Sequence, residues 1–170
     1  MRALTLACLA ALLAPAASQA QPITCRGVAD RVAAATIREE YVPVTTRYQI
    51  DTPALQPVLA TTVNVSASSC LVATFSTVAT PTDNYLVFQV VVDGAPMIGH
   101  TRVPFGPLGE PVVIESEESD RNQPRLVSHQ FFLPVPAGRH RVEVRAAAGS
   151  NVDPLAIPTL TAPVLTVHYR

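Results

Sequence analysis

The stretch from Asn84 to His100, NYLVFQVVVDGAPMIGH, restricts the fold more than any other part of the chain. Leu86, Phe88, Val90 and Val92 recur at every second position, which places them on one face of an extended strand. Asp93-Gly94 follows at once. Glycine tolerates positive φ and aspartate tolerates the left-handed region, so this dipeptide closes a tight hairpin turn. Met97 and Ile98 carry apolar material into the return segment. The expectation is a hairpin in the middle of a β-sheet core. Val87 and Val91 lie on the opposite face of the same strand and read as an apolar patch on an outer sheet surface.

Alternation with a period of two continues along most of the chain. Val44, Thr46, Tyr48 and Ile50 share one face after Pro43, and Leu59, Thr61, Val63 and Val65 share one face of the next segment. Cys70 to Thr77 reads as a short buried strand, and Val112 to Ile114 as a small strand set in a long loop. Arg125 to Val135 presents Val127, His129, Phe131, Leu133 and Val135 together. Arg139 to Ala146 turns Val142 and Val144 inward and Arg141, Glu143 and Arg145 outward. Thr159 to Tyr169 closes the chain with Leu165, Val167 and Tyr169 on one side. Helical spacing occurs only over Val28 to Glu40, where Val28, Val32 and Ala35 share a face, and a strand starting near Thr36 competes with it. With no helix between successive strands, βαβ units are excluded. The fold class expected is all-β: an antiparallel, jelly-roll-like β-sandwich of eight or nine strands.

The first twenty of the 170 residues have the form of a secretory signal peptide. Arg2 supplies a positive start, Ala3 to Ala14 is an apolar run, and Ser18-Gln19-Ala20 offers small residues for cleavage after Ala20. The apolar run is too short to span a bilayer, and no membrane span is expected once the signal is cleaved. Cys8 falls within the discarded peptide. The mature part, 21–170, has the length of a single domain. It keeps two cysteines, Cys25 and Cys70, and in an oxidising compartment they are expected to form one disulfide. The chain has 12 basic residues against 13 acidic ones, and removing Arg2 takes the net charge from −1 to near −2. That balance gives no reason to expect nucleic acid as a partner. Export to the periplasm or the extracellular space is the expected location.

The run Val135-Pro136-Ala137-Gly138-Arg139-His140-Arg141-Val142-Glu143-Val144, followed by a loop and Pro163-Val164-Leu165-Thr166-Val167, is similar to the last strands of extracellular β-sandwiches. It resembles the jelly rolls of the complement-globular (C1q-like) and tumour-necrosis-factor-like class, and also bacterial immunoglobulin-like domains. The form is a hairpin entered through glycine and then a terminal strand. The jelly-roll resemblance implies a homotrimer with a binding role, and no functional residue is carried over from it.

No nucleophile elbow, zinc-protease helix, phosphate loop or dinucleotide fingerprint is present. His100, His129, His140 and His168 stand singly on separate strands. Glu115, Glu117, Glu118 and Asp120 crowd one acidic loop. Hard cations such as Ca²⁺ need several oxygen ligands, which makes these four the candidate metal ligands against the plainer reading of a solvated loop. Arg139, Arg141 and Arg145 form a stripe suited to carboxylates or sulfates, or else an ordinary charged surface. The reading that follows is a non-enzymatic, exported binding or structural module without a resident cofactor. The alternatives are a hydrolase or lyase pairing His129 with an acid of the 115–120 loop, and a trimeric assembly domain using the Val87–Val91 face.

Overall fold

A computed structural model describes residues 29–37, 41–47, 54–80, 86–99, 113–115, 123–148 and 157–170. Among them there are eleven strands and no helix: β1 Arg31–Thr36, β2 Val42–Pro43, β3 Gln56–Val65, β4 Ser69–Thr80, β5 Leu86–Val92, β6 Ala95–Pro96, β7 Ile98–Gly99, β8 Val113–Glu115, β9 Arg125–Val135, β10 Gly138–Ala148 and β11 Thr159–Tyr169. One sheet has the order β1-β11-β4-β9-β7, with β2 also paired to β11. The other has the order β3-β10-β5-β6, with β8 also paired to β5. Every pair of strands named here is antiparallel. β1, β11, β4 and β9 face β3, β10, β5 and β8, which is the interleaved two-sheet order of a jelly roll.

The core lies between the sheets. Leu71, Ala73 and Phe75 of β4, Phe131 of β9 and Leu165 and Val167 of β11 meet Leu59 and Val63 of β3, Val142 and Val144 of β10 and Phe88 and Val90 of β5. The rings of Phe75 and Phe88 cross the interface with centroids 5.4 Å apart and planes tilted by 50°. Tilted aromatic pairs of this kind add to what their buried area contributes.

The organising hairpin forms as expected, with Asp93 at φ 50° and Gly94 at φ 89°. Its return arm, however, is split between the sheets. Ala95 and Pro96 pair with β5, and the Met97 amide donates to the Val90 carbonyl at 2.8 Å. Ile98 and Gly99 then pair with Phe132 and Phe131 in the opposite sheet. Pro96 offers no amide hydrogen, so the arm cannot extend a full ladder along β5.

Four sequence expectations are corrected. Val87 and Val91 do not form an exposed patch: they are 0% and 2% exposed, and β5 is buried on both faces. Arg31–Thr36 is a strand rather than a helix. Ala33, Ala35 and Ile37 pack against the core while Val32, Ala34 and Thr36 stay exposed, and pairing with β11 overrides the helical composition. The strand expected over residues 44–50 is reduced to β2 and a single bridge from Arg47 to Ala148, with 48–50 outside the described residues. Finally, β9 and β10 are not a hairpin. They belong to different sheets, and the corner at Pro136-Ala137 carries the chain across, ending on Gly138 at φ 147°.

Two irregularities have chemical causes. β11 bulges between Thr161 and Val164, where Pro163 has no donor for the ladder and Ala162 takes φ 47°. β3 shifts register opposite Val144 and Arg145, beside Pro57 on a strand that lies at the edge of its sheet.

Replacing Phe75 by alanine is expected to cost about 3–5 kcal/mol, because a fully buried ring would leave a cavity between two rigid sheets. A urea unfolding series measures it.

Candidate functional site

The charged side chains that the fold brings together lie on β10 and at the β5–β6 turn. Successive side chains of β10 point to opposite faces, so His140, Val142 and Val144 point toward the core and Arg139, Arg141, Glu143 and Arg145 toward the outer surface, where Glu143 is nonetheless buried. Pairing with β5 sets Glu143 opposite Val91 and Arg145 opposite Gln89. Val91 and Gln89 are themselves buried, and Glu143 is only 9% exposed. Its two oxygens are held separately. Arg141 donates through Nε at 3.0 Å and Nη2 at 2.8 Å to Oε2, and Arg145 donates through Nε at 2.7 Å to Oε1. Burial pushes this carboxyl up, but the hydrogen bonds from Arg145 and Arg141 outweigh it and hold Glu143 below its ordinary value.

The second constellation joins two corners of the sandwich. The Asp93 carboxylate accepts the Arg141 amide at 2.8 Å through Oδ1 and meets His140 Nδ1 at 2.7 Å through Oδ2. His140 Nε2 meets the Pro136 carbonyl at 3.0 Å. Both ring nitrogens therefore face acceptors. A neutral imidazole carries one N–H and satisfies one of them, whereas the imidazolium satisfies both. Accordingly the Asp93 bond raises the His140 pKa, against the opposing effect of burial and with help from Pro136. The Arg141 amide first, and His140 second, lower that of Asp93.

A His–Asp pair invites comparison with a catalytic dyad. Here the nitrogen that would act as a base is closed by a backbone carbonyl, and His140 itself is 7% exposed. The pair is a clamp between the hairpin turn and the sheet-crossing corner. A third polar clamp holds the β2 segment. Gln56 Oε1 accepts the Thr45 and Thr46 amides at 2.8 and 2.9 Å, and Nε2 donates to the Pro43 carbonyl at 2.8 Å.

The sequence candidates fall as follows. Arg141 and Arg145 are brought together with Glu143, and Arg139 stands exposed two residues before Arg141. Cys70 is engaged on β4, opposite Pro134, while Cys25 lies outside the described residues. The backbone of Glu115 pairs with Leu86, whereas Glu117, Glu118 and Asp120 lie outside the described residues. His129 points to the core side of β9 and His168 to the outer side of β11, so the structure does not bring these histidines together. His100 is not described. Among the described residues, no group of three His, Cys, Asp or Glu is placed to hold a metal ion. No helix among them is long and apolar enough to cross a membrane.

Sequence reading missed the Asp93–His140 clamp and the Gln56 clamp. Asp93-Gly94 was legible as a turn, but nothing in the spacing tied it to a histidine 47 residues away. Arg47 was also missed: it is half-buried beside Ala148, with Nη1 buried and without a hydrogen-bond partner.

No protein-family profile matches the sequence, and no curated protein matches it. Among solved structures, the chain is similar to the C-terminal domain of EclA, described as a sugar-binding protein, with 8% identity and a TM-score of 0.42 over 89% of this chain and 86% of that one. It is also similar to the VP2 subviral particle protein of infectious bursal disease virus, with 12% identity and a TM-score of 0.46 over 96% of this chain. The chain spans 37% of that protein's length.

The clamp predicts a specific pH dependence. Because His140 is raised, its contribution is fully present below the unfolded value near 6.5 and is lost as pH rises through the folded value. Because Asp93 and Glu143 are lowered, their contributions are present above the unfolded carboxylate values and are lost as pH falls through the folded ones. Urea midpoints should therefore fall on both sides of a mildly acidic plateau. His140→Gln should remove the decline on the alkaline side and cost about 1–2 kcal/mol on the plateau. An NMR titration placing the His140 midpoint below 6.5 would contradict the clamp.

Proposed function

We propose that this chain is an exported β-sandwich acting as a binding or structural module, and not as an enzyme. The observation that carries the reading is the contrast between its charged groups and its apolar surface. Asp93, His140, Arg141, Glu143 and Arg145 are spent on one another or on the backbone. The large hydrophobic side chains that stay exposed, by contrast, include Leu126 at 80% and Ile98 at 49%. Ionisable groups locked into structural bonds are poor acids and bases, while exposed apolar surface is characteristic of interaction sites.

Export belongs to the same proposal and rests on the leader-like residues 1–20. The disulfide does too. Cys70 sits at the start of β4, and a bridge to Cys25 would fasten the segment before β1 to a central strand of the same sheet. In the loop-entropy model, closing a loop of that length stabilises the fold by about 3–4 kcal/mol. The C1q-like and tumour-necrosis-factor-like version of the reading, a homotrimer, loses the Val87–Val91 interface on which it was placed.

Fractionation followed by intact-mass analysis tests this reading. The expected result is a chain beginning at Gln21, recovered outside the cytoplasm, and lighter by two hydrogens than its reduced form. The purified chain is expected to turn over no ester, glycoside or phosphoester substrate. Turnover abolished by His129→Gln would contradict the non-enzymatic reading.

A further inference from the structure

The outer face of the β1-β11-β4-β9-β7 sheet differs in kind from the outer face of the other sheet. On β4 it consists of Val72, Thr74, Ser76, Val78 and Thr80, all partly exposed, while the alternate residues are buried; Cys70, the proposed partner of Cys25, marks its end. On β9 the same side carries Leu126, Ser128, Gln130, Phe132 and Pro134, all exposed. Register lines these residues into rows across the sheet. One row runs Val32, His168, Val72, Phe132 and Ile98 through five strands. The next runs Ala34, Thr166, Thr74 and Gln130. The third ends in Ser76 and Ser128, whose hydroxyls are 2.9 Å apart.

Two properties of this face stand out. Its five strands place no Asp, Glu, Lys or Arg on it, and the same alternation puts one acid and one base, the exposed Asp30 and Arg170, opposite each other at its rim. It also gathers the exposed large hydrophobic residues. Val32, Ile98, Leu126 and Phe132 lie on it by register, and alternation from the opposed pair Pro43 and Thr159 puts Tyr41 and Ile157 on the same side. The outer face of the other sheet is different in kind, because β10 alone places three arginines and a glutamate there.

We infer that this face is the interface for a second copy of the same chain, packed sheet against sheet about a twofold axis. Three arguments select that occupant. The strands themselves place no acid or base on the face and the Asp30 and Arg170 at its rim cancel in sign, so two copies can be laid together without like charges opposed across the strands, whereas a different partner is ordinarily steered and selected by complementary charge, of which this face has no net excess. The strands are long and regular enough for two such sheets to stack at the usual spacing of roughly 10 Å. The area also suffices. With strands about 4.8 Å apart and residues rising about 3.3 Å, the face covers roughly 600 Å² per copy, so a pair buries on the order of 1,200 Å², the lower bound of a standard interface.

This inference goes beyond the binding-module reading and does not depend on where the chain is exported. Sedimentation velocity on the chain purified from the compartment where it accumulates tests it, from about 1 to 100 µM, a range that brackets a micromolar Kd. The expected result is a monomer–dimer equilibrium. Leu126→Arg and Phe132→Arg replace exposed side chains and put a charge on each copy, so each should weaken the dimer by about 100-fold or more while leaving unchanged the thermal midpoint measured at concentrations where the parent chain is monomeric. Asn64→Arg, an exposed position on the outer face of the other sheet, should leave the dimer intact. A chain that is monomeric throughout overturns the inference, as does a trimer. A dimer that tolerates both arginines on this face, or that is broken by Asn64→Arg, overturns it as well.

Discussion

The structure depends on the burial of β5 from both sides. Its inner residues, Leu86, Phe88, Val90 and Val92, meet the opposite sheet in the core. Its outer residues, Val87, Gln89 and Val91, are buried too. A strand in this position has to be apolar at both parities, and LVFQVVV is, apart from Gln89, a residue that has a partner. β10, β6 and β8 take their register from β5, and through β10 so does β3. The Asp93–Gly94 turn that ends β5 supplies the carboxylate for His140, so the strand also fixes the corner by which β9 leaves one sheet and β10 enters the other.

That arrangement makes the two outer faces of the sandwich unequal. Beside β5 the outer face is closed, and the glutamate there is held by two arginines, as a carboxylate must be to stay charged out of water. Across the core, β4 occupies the corresponding interior position in its own sheet, yet it alternates between buried and half-exposed. One interior strand is covered twice and the other once. The difference marks which side of the molecule is finished as a monomer and which side offers surface.

The alternation of β3, β9, β10 and β11 was legible apart from the bulge in β11 and the register shift in β3, because each has one face in the core and a period-two pattern reports that directly. β5 was legible as a strand but misread in its surroundings. Its second apolar face reads as an exposed patch, although an unbroken apolar run is equally the mark of a strand covered on both sides. The β1 segment was lost to composition. Its alanines suit a helix, and only the partner strand more than a hundred residues later makes it extended. The clamps at Asp93–His140 and Gln56 join residues far apart in sequence, and each is a single polar contact that leaves no periodic trace. The sheet-crossing at Pro136 was hidden for a related reason: a short Pro–Gly connection reads as a hairpin whether the next strand pairs with the last one or crosses to the other sheet.

Native-state hydrogen exchange, resolved by residue, tests the central role of β5 most directly. If the strand is covered on both faces and sets the register of its sheet, its paired amides should be among the slowest in the chain and exchange only by global unfolding, together with those of β10. The edge strands β1 and β3 should exchange faster, through local opening. Amides of Leu86–Val92 exchanging as fast as those of β1 would contradict this account of how the fold is held together.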